Sequence, residues 1–259
     1  MLKRRIKRLL GNTLGHFRYY GTRVFFPPGS PTFGAAVDDG VYEYQCTKLV
    51  TALVAPRSTY FDVGANIGLM SIPVLHGCPT CQVVSFEPSP TTLACLKRTC
   101  AGSPFTDRWT VIGLGVGDTS GATEFHMAVK GGAFDGLRPT GSAGGTTTVQ
   151  IQITTLDTVW HSLKDPDISF IKIDVEGAEM AVLRGGRECI TAKRPHILLE
   201  WYASHLESYG VPITSLLDFA KDFDYQLFTA AEGIEIKDAN MLRLQMLRDF
   251  SFLLAPEPR

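Results

Sequence analysis

Residues 60–74 read YFDVGANIGLMSIPV. Tyr60 to Val63 have the pattern of an apolar strand interrupted by Asp62, and a turn of Gly64, Ala65, Asn66 and Gly68 leads into a helical run. Glycines between a strand and a helix let backbone amides come close to a ligand. GANIG lacks the second glycine of the G-x-G-x-x-G pyrophosphate fingerprint, and a carboxylate at Asp62 would repel a pyrophosphate. The stretch therefore calls for a ligand that tolerates negative charge, met by Asp62 directly or through a water.

Further apolar strands follow as CQVVSFEP, RWTVIGLGVGD, ISFIKIDV and HILLEW, with YQLFTA and DFSFLLAP closing the chain. SPTTLACLKRTCAG, GAEMAVLRGGREC and ITSLLDFAKDFD between them read as helices. Nearly all-apolar strands alternating with helices predict an α/β fold with a mostly parallel sheet covered on both faces. Such sheets bind ligands beyond the carboxyl ends of their strands. Asp62, Glu87, Asp174 and Glu200 stand at four strand ends and are expected to converge on one crevice. Glu87 lies 19 residues beyond Gly68, where an acid can take both hydroxyls of a ribose.

The 259-residue chain divides into residues 1–39, a basic N-terminal helix and Pro/Gly loop, and residues 40–259, a single domain. Leu2, Ile6, Leu9 and Leu10 recur at helical spacing among Lys3, Arg4, Arg5, Lys7 and Arg8, and residues 1–37 hold seven basic side chains and no acidic one. Either a surface helix that meets anionic lipid or nucleic acid, or a solvated helix packed on the domain, fits this pattern. FFPPGSPTFG (25–34) reads as a loop, and YEYQCTKLVTALV (42–54) as a helix stopped by Pro56. Residues 130–148, KGGAFDGLRPTGSAGGTTT, read as a mobile Gly/Thr-rich insertion of the lid kind between strand-like TEFHMAV and TVQIQITTL. The longest apolar runs fall short of a membrane span. Six cysteines form no disulfide framework, so a reducing, cytoplasmic setting is expected. HGCPTC (76–81) holds a C-x-x-C without the second ligand pair that zinc needs, and no metal is expected there.

A nucleoside whose other end is cationic satisfies Asp62 and Glu87 together. S-adenosylmethionine carries a ribose, an ammonium and a sulfonium, and no phosphate. FDVGANIG, VVSFEPSP, TTLDTV, FIKIDVEGAEMAVLRGG and RPHILLEW, in that order and spacing, resemble the FkbM family of class I S-adenosylmethionine-dependent methyltransferases over roughly residues 40–202. The resemblance implies a Rossmann-like, mostly parallel, doubly wound seven-stranded sheet with an antiparallel C-terminal strand. It implies that Asp62, Gly64, Asn66 and Gly68 line the methionine half of the cofactor, that Glu87 binds the ribose and that Asp118 of GVGD contacts adenine. It also implies methyl transfer to oxygen, commonly a hydroxyl on a secondary metabolite, sugar or lipid-linked glycan.

Lys172 in IKIDVEGAE lies inside an apolar strand, which is costly unless the ammonium is paired. Asp174, Glu176, Asp157 and Glu200 are the available partners, and Lys172 serves either a structural ion pair or catalysis. A hydroxyl nucleophile needs a base within hydrogen-bond reach. Asp174 at the tip of its strand is the expected base, with Glu176 and Glu200 flanking it and Glu179 as a helix-start cap. Clustered carboxylates also suit Mg²⁺ or Ca²⁺, but no spacing selects a metal. The expected partner is a small-molecule or glycan hydroxyl. No specific nucleic acid is expected, and residues 1–10 are the candidate for peripheral membrane contact. A nicotinamide-dependent oxidoreductase on a similar sheet and a non-catalytic binding module using the basic N-terminus are the rival functions.

Overall fold

The computed structural model describes residues 2–128, 135–138 and 146–258. Seven strands form the main sheet: β1 Thr59–Val63, β2 Gln82–Phe86, β3 Trp109–Ile112, β4 Ile168–Ile173, β5 His196–Glu200, β6 Tyr225–Thr229 and β7 Ser251–Pro256. Their spatial order is β6-β7-β5-β4-β1-β2-β3. β1 to β5 are mutually parallel, and β7 inserts antiparallel between β5 and β6. This is the predicted doubly wound sheet. The chain leaves β1 toward β2 and β3, then returns to lay β4 on the other side of β1. That reversal opens the sheet's ligand crevice beyond the ends of β1 and β4.

The helices are α1 Leu2–Leu14, α2 Pro31–Asp39, α3 Tyr44–Leu53, α4 Ser71–Gly77, α5 Pro90–Ala101, α6 Leu156–Ser162, α7 Glu179–Arg184, α8 Arg187–Lys193, α9 Ala203–Tyr209, α10 Ser215–Asp222 and α11 Ala239–Gln245. Strand alternation sends successive side chains to opposite faces. Phe61, Phe86, Ile171, Ile173 and Leu199 pack with residues of α6, α7, α8 and α10. Tyr60, Val83, Phe170 and Leu198 pack with Phe33 of α2, Val50 of α3, Ile72 of α4 and Leu96 of α5. Lys172 shares this second face and pairs in register with Asp62 on one side and Leu198 on the other.

Three local readings change. Residues 31–39 are helical rather than part of a loop: the Ser30 hydroxyl caps the Phe33 N–H at 3.2 Å, and Pro31 occupies the first helical position. His16–Tyr19 and Thr22–Phe25 form an antiparallel hairpin that the sequence pattern did not mark. The third strand breaks after Ile112, and Gly115–Val116 joins a second sheet with Thr146–Thr154, which pairs antiparallel with Gly121–Ala128. Most of the expected insertion at 130–148 lies outside the described residues. Of its described part, Gly136 exchanges backbone hydrogen bonds with His126 at 2.8 and 3.0 Å, and Thr146–Thr148 belong to the strand Thr146–Thr154.

Among the described residues all six cysteines are free, and no helix is long and apolar enough to cross a membrane. The C-x-x-C loop is a tight connection between α4 and β2. Arg108 holds it by donating to the carbonyls of Leu75, Cys78 and Cys81 at 2.8–3.1 Å.

Candidate active site

The turn after β1 is shaped by two glycines with different duties. Gly64 has φ +78°, and a Cβ there would lie 1.8 Å from the Asp174 carbonyl oxygen. Only glycine lets the ends of β1 and β4 approach this closely. Gly68, at φ +86°, faces Leu96 and Trp109, so its constraint is packing rather than ligand contact. Between them Asn66 adopts φ 49°, and its Oδ1 accepts the Ile67 N–H at 2.9 Å. Asparagine tolerates this left-handed conformation better than most residues.

The turn aims a backbone donor at Glu87. The Asn66 N–H reaches Glu87 Oε2 at 2.9 Å, and the Ser89 N–H reaches Oε1 at 2.8 Å. Both carboxylate oxygens are thereby fixed, each with a further lone pair to offer. Burial pushes the Glu87 carboxyl up to about 8, although these two N–H groups oppose the rise.

Asp62 is fully buried beneath this turn. Its Oδ2 accepts the Ser71 hydroxyl at 2.5 Å. Ser71 is 2.8 Å from the Ser85 hydroxyl, which accepts the Trp109 indole N–H at 2.8 Å. The cation that faces Asp62 is the chain's own Lys172. Its Nζ donates to Asp174 Oδ2 at 2.8 Å and sits 3.4 Å from the Gly64 carbonyl. Burial lowers the Lys172 pKa, but the carboxylates of Asp174, Asp62 and Glu43 outweigh it and hold the ammonium charged. Burial raises Asp62, opposed first by Lys172. Glu200, at the end of β5, is raised by burial and then by Asp174 and Glu43.

Tyr42 and Glu43 belong to this group, and the sequence reading missed them. Glu43 holds φ 42° just before α3 and lies among Lys172, Asp174 and Asp62. Its own carboxyl is raised by burial. It stands in no strand and carries no motif. Its one signal is an acid at the start of a helix.

A crevice opens beside these groups. Gly64, Asn66, Glu87, Asp135, Asp174 and Glu176 give it a polar, acidic side, and Phe86, Leu114, Phe125, Ile151 and Ile153 an apolar one. The hairpin of Gly121–Ala128 and Thr146–Thr154 thus supplies much of the apolar wall. Asp135 accepts the Ser89 hydroxyl at 2.7 Å. Glu176, at φ 58°, has its carboxyl pushed up to about 8 by burial, then by Asp174 and Glu179. His205 Nδ1 lies 3.3 Å from Glu176 Oε2 without the alignment of a hydrogen bond, and burial lowers the imidazole pKa. Glu179 Oε1 accepts the N–H groups of Gly177 and Val175 at 3.0 and 3.3 Å, closing the turn that carries Glu176.

Of the ten residues singled out from sequence, Gly64, Asn66, Glu87, Asp174 and Glu176 line this crevice. Asp62, Lys172 and Glu200 lie outside this lining, and Gly68 packs against the core. Asp118 lies apart from the wall and takes the Arg184 guanidinium at 3.0 and 3.1 Å.

Residues 62–227 match the family described as Methyltransferase FkbM domain. The chain is an FkbM methyltransferase-family protein. It is 25% identical over 190 residues to the 2-O-methyltransferase NoeI of Sinorhizobium fredii, covering 68% of this chain and 76% of NoeI. It is 27% identical over 219 residues to the AMB antimetabolite synthetase AmbE of Pseudomonas aeruginosa, of which it spans only 10%. Among solved structures, the FkbM methyltransferase of Methylobacillus flagellatus superposes with a TM-score of 0.51 at 18% identity, covering 97% of this chain and 59% of that one. That likeness shows the fold. Family membership also sets aside the rival oxidoreductase reading.

The crevice fits the cofactor of a methyltransferase on its own chemistry. Glu87 suits a ribose diol, the apolar wall suits a purine, and the carboxylates of Asp135, Asp174 and Glu176 suit a cationic end while opposing a pyrophosphate.

Proposed function

We propose that this FkbM-family chain transfers a methyl group from S-adenosylmethionine to a hydroxyl oxygen of a small molecule, sugar or glycan. The observation that carries the proposal is Glu87, fixed through both carboxylate oxygens by the Asn66 and Ser89 amides in an otherwise acidic crevice. The kinship to NoeI, whose name specifies 2-O-methylation, supports oxygen as the acceptor. When bound, the cofactor supplies an electrophilic methyl carbon on a sulfonium.

The chain's own part is alignment and removal of the acceptor proton. We assign Asp174, with Oδ2 held by Lys172, to orient the acceptor hydroxyl through its other oxygen. An ion-paired carboxylate is a poor base, which shifts the proton acceptor from the sequence-based expectation of Asp174 to Glu176. With its carboxyl near 8, Glu176 has the basicity that general-base catalysis at neutral pH favours. In such a transfer the acceptor C–O bond would form as the cofactor's C–S bond broke, and Glu176 would take the hydroxyl proton. Lys172 holds Asp174 in place.

The test is incubation with isotopically labelled S-adenosylmethionine and a panel of hydroxylated acceptors, followed by mass analysis of the product. Label on oxygen supports the reading. Label on nitrogen or carbon refutes the acceptor class, and no transfer by a chain that binds the cofactor refutes catalysis on this panel.

A further inference from the structure

α1 turns its apolar side away from the protein. At about 100° per residue, Ile6, Leu9, Leu10 and Leu14 fall within one arc of about 140°. Their exposures are 47%, 70%, 54% and 59%. The opposite side meets the domain. Gly11 lies so close to the Phe33 ring of α2 that a Cβ there would be 2.4 Å from it, and Arg8 pairs with Asp38. A helix that merely covered the domain would turn its leucines inward. This one is anchored through glycine and arginine and leaves the leucines in water.

Two further features say what covers that face. Arg4, Arg5 and Lys7 are exposed along the same helix, and the sequence has no acidic residue before Asp38. Beside it runs a groove lined by Lys7, Leu10, Leu14, Phe17, Arg18 and Val37. We infer that α1 and this groove form a docking surface for an anionic lipid bilayer, with the helix lying in the interface plane. The leucines enter the acyl boundary, and the arginines and lysines meet the head groups. A second copy of the chain would bring two cationic helices together, so charge disfavours a dimer through this face. Nucleic acid would use the charges but leave the leucines exposed. Thr32 of α2 lines the methyl-transfer crevice while the adjacent Phe33 carries α1, so the docking helix rests on the element that borders the crevice.

The test is co-sedimentation of the full chain with phosphatidylcholine vesicles, with and without phosphatidylglycerol. The triple variant I6S/L9S/L10S leaves the Gly11 and Arg8 anchors in place. Expected is binding to the anionic vesicles that weakens about fivefold for each basic residue neutralised. Binding should fall further with salt and be lost in the triple variant, with an unchanged melting temperature. Equal binding by the triple variant and the parent overturns the proposal. So does a failure of both to sediment with anionic vesicles. Light scattering that shows a dimer abolished by the triple variant assigns the face to a second copy. Duplex DNA captured equally by parent and triple variant, without vesicle binding, assigns the charges to nucleic acid.

Discussion

Two amides hold both carboxylate oxygens of Glu87, so its replacement would separate the proposed cofactor binding from folding. Glu87→Gln keeps one acceptor oxygen and the side-chain shape, and is expected to weaken S-adenosylhomocysteine binding by about 1–3 kcal/mol, the scale of a charged hydrogen bond. Titration calorimetry reads this directly. Asp174→Asn and Glu176→Gln should leave that affinity nearly intact and lower turnover. The two variants differ in their pH profiles. A base near pKa 8 must lose its proton to act, so the parent's kcat/KM is expected to climb as pH rises through about 8. With the cofactor saturating, so that Glu87 is already engaged, Glu176→Gln should abolish that limb in kcat/KM for the acceptor and Asp174→Asn should keep it. Lys172→Met tests the support behind the site. It strands the fully buried Asp62 and is expected to cost about 3–5 kcal/mol in chemical denaturation. A cost below about 1 kcal/mol would show that Lys172 is not the partner of Asp62.

The elements divide cleanly between those that build the crevice and those that decorate it. α1 touches the domain at Gly11 and Arg8 but supplies no crevice residue. Deleting residues 1–10 is therefore expected to leave cofactor affinity unchanged, a result that also excludes a binding module working solely through the basic N-terminus. The strands were legible in the sequence because parallel strands buried on both faces are nearly pure apolar runs, while the seven-stranded arrangement came with the family resemblance. The acids at their ends were legible for the same reason, since each one breaks such a run. What escaped depended on contacts between distant segments. Residues 31–39 looked like loop because PPGSP dominates the composition, although Ser30 followed by Pro31 is itself a helix start. Glu43 comes near Lys172 only through the packing of α3 on the sheet face that Lys172 shares. Asp118 came from the resemblance alone, and its pairing with Arg184 on α7 joins segments far apart in the sequence.

Across the whole molecule, the site stores protons. Glu87 and Glu176 sit near 8 and Glu179 near 7, each raised chiefly by burial. Between the ordinary carboxylate range and these values the folded chain binds more protons than the unfolded one. These three groups therefore favour the fold most at low pH, and that contribution fades as pH rises through about 5 to 8. Chemical denaturation of the ligand-free chain should follow this sign in that window. A cationic ligand reverses the balance by favouring the ionised carboxylates. Binding of S-adenosylmethionine at pH 7 is expected to release protons, seen as a calorimetric heat that changes with the ionisation enthalpy of the buffer.

The proposed cofactor site is an acidic crevice that would hold a positively charged nucleoside by its ribose. Calorimetric titration of the parent chain with S-adenosylmethionine and with NAD, each repeated on Glu87→Gln, tests it most directly. The expected result is saturable uptake of S-adenosylmethionine that weakens about tenfold or more in the variant, with NAD not bound. Tight NAD binding together with no uptake of S-adenosylmethionine by the folded chain would contradict it.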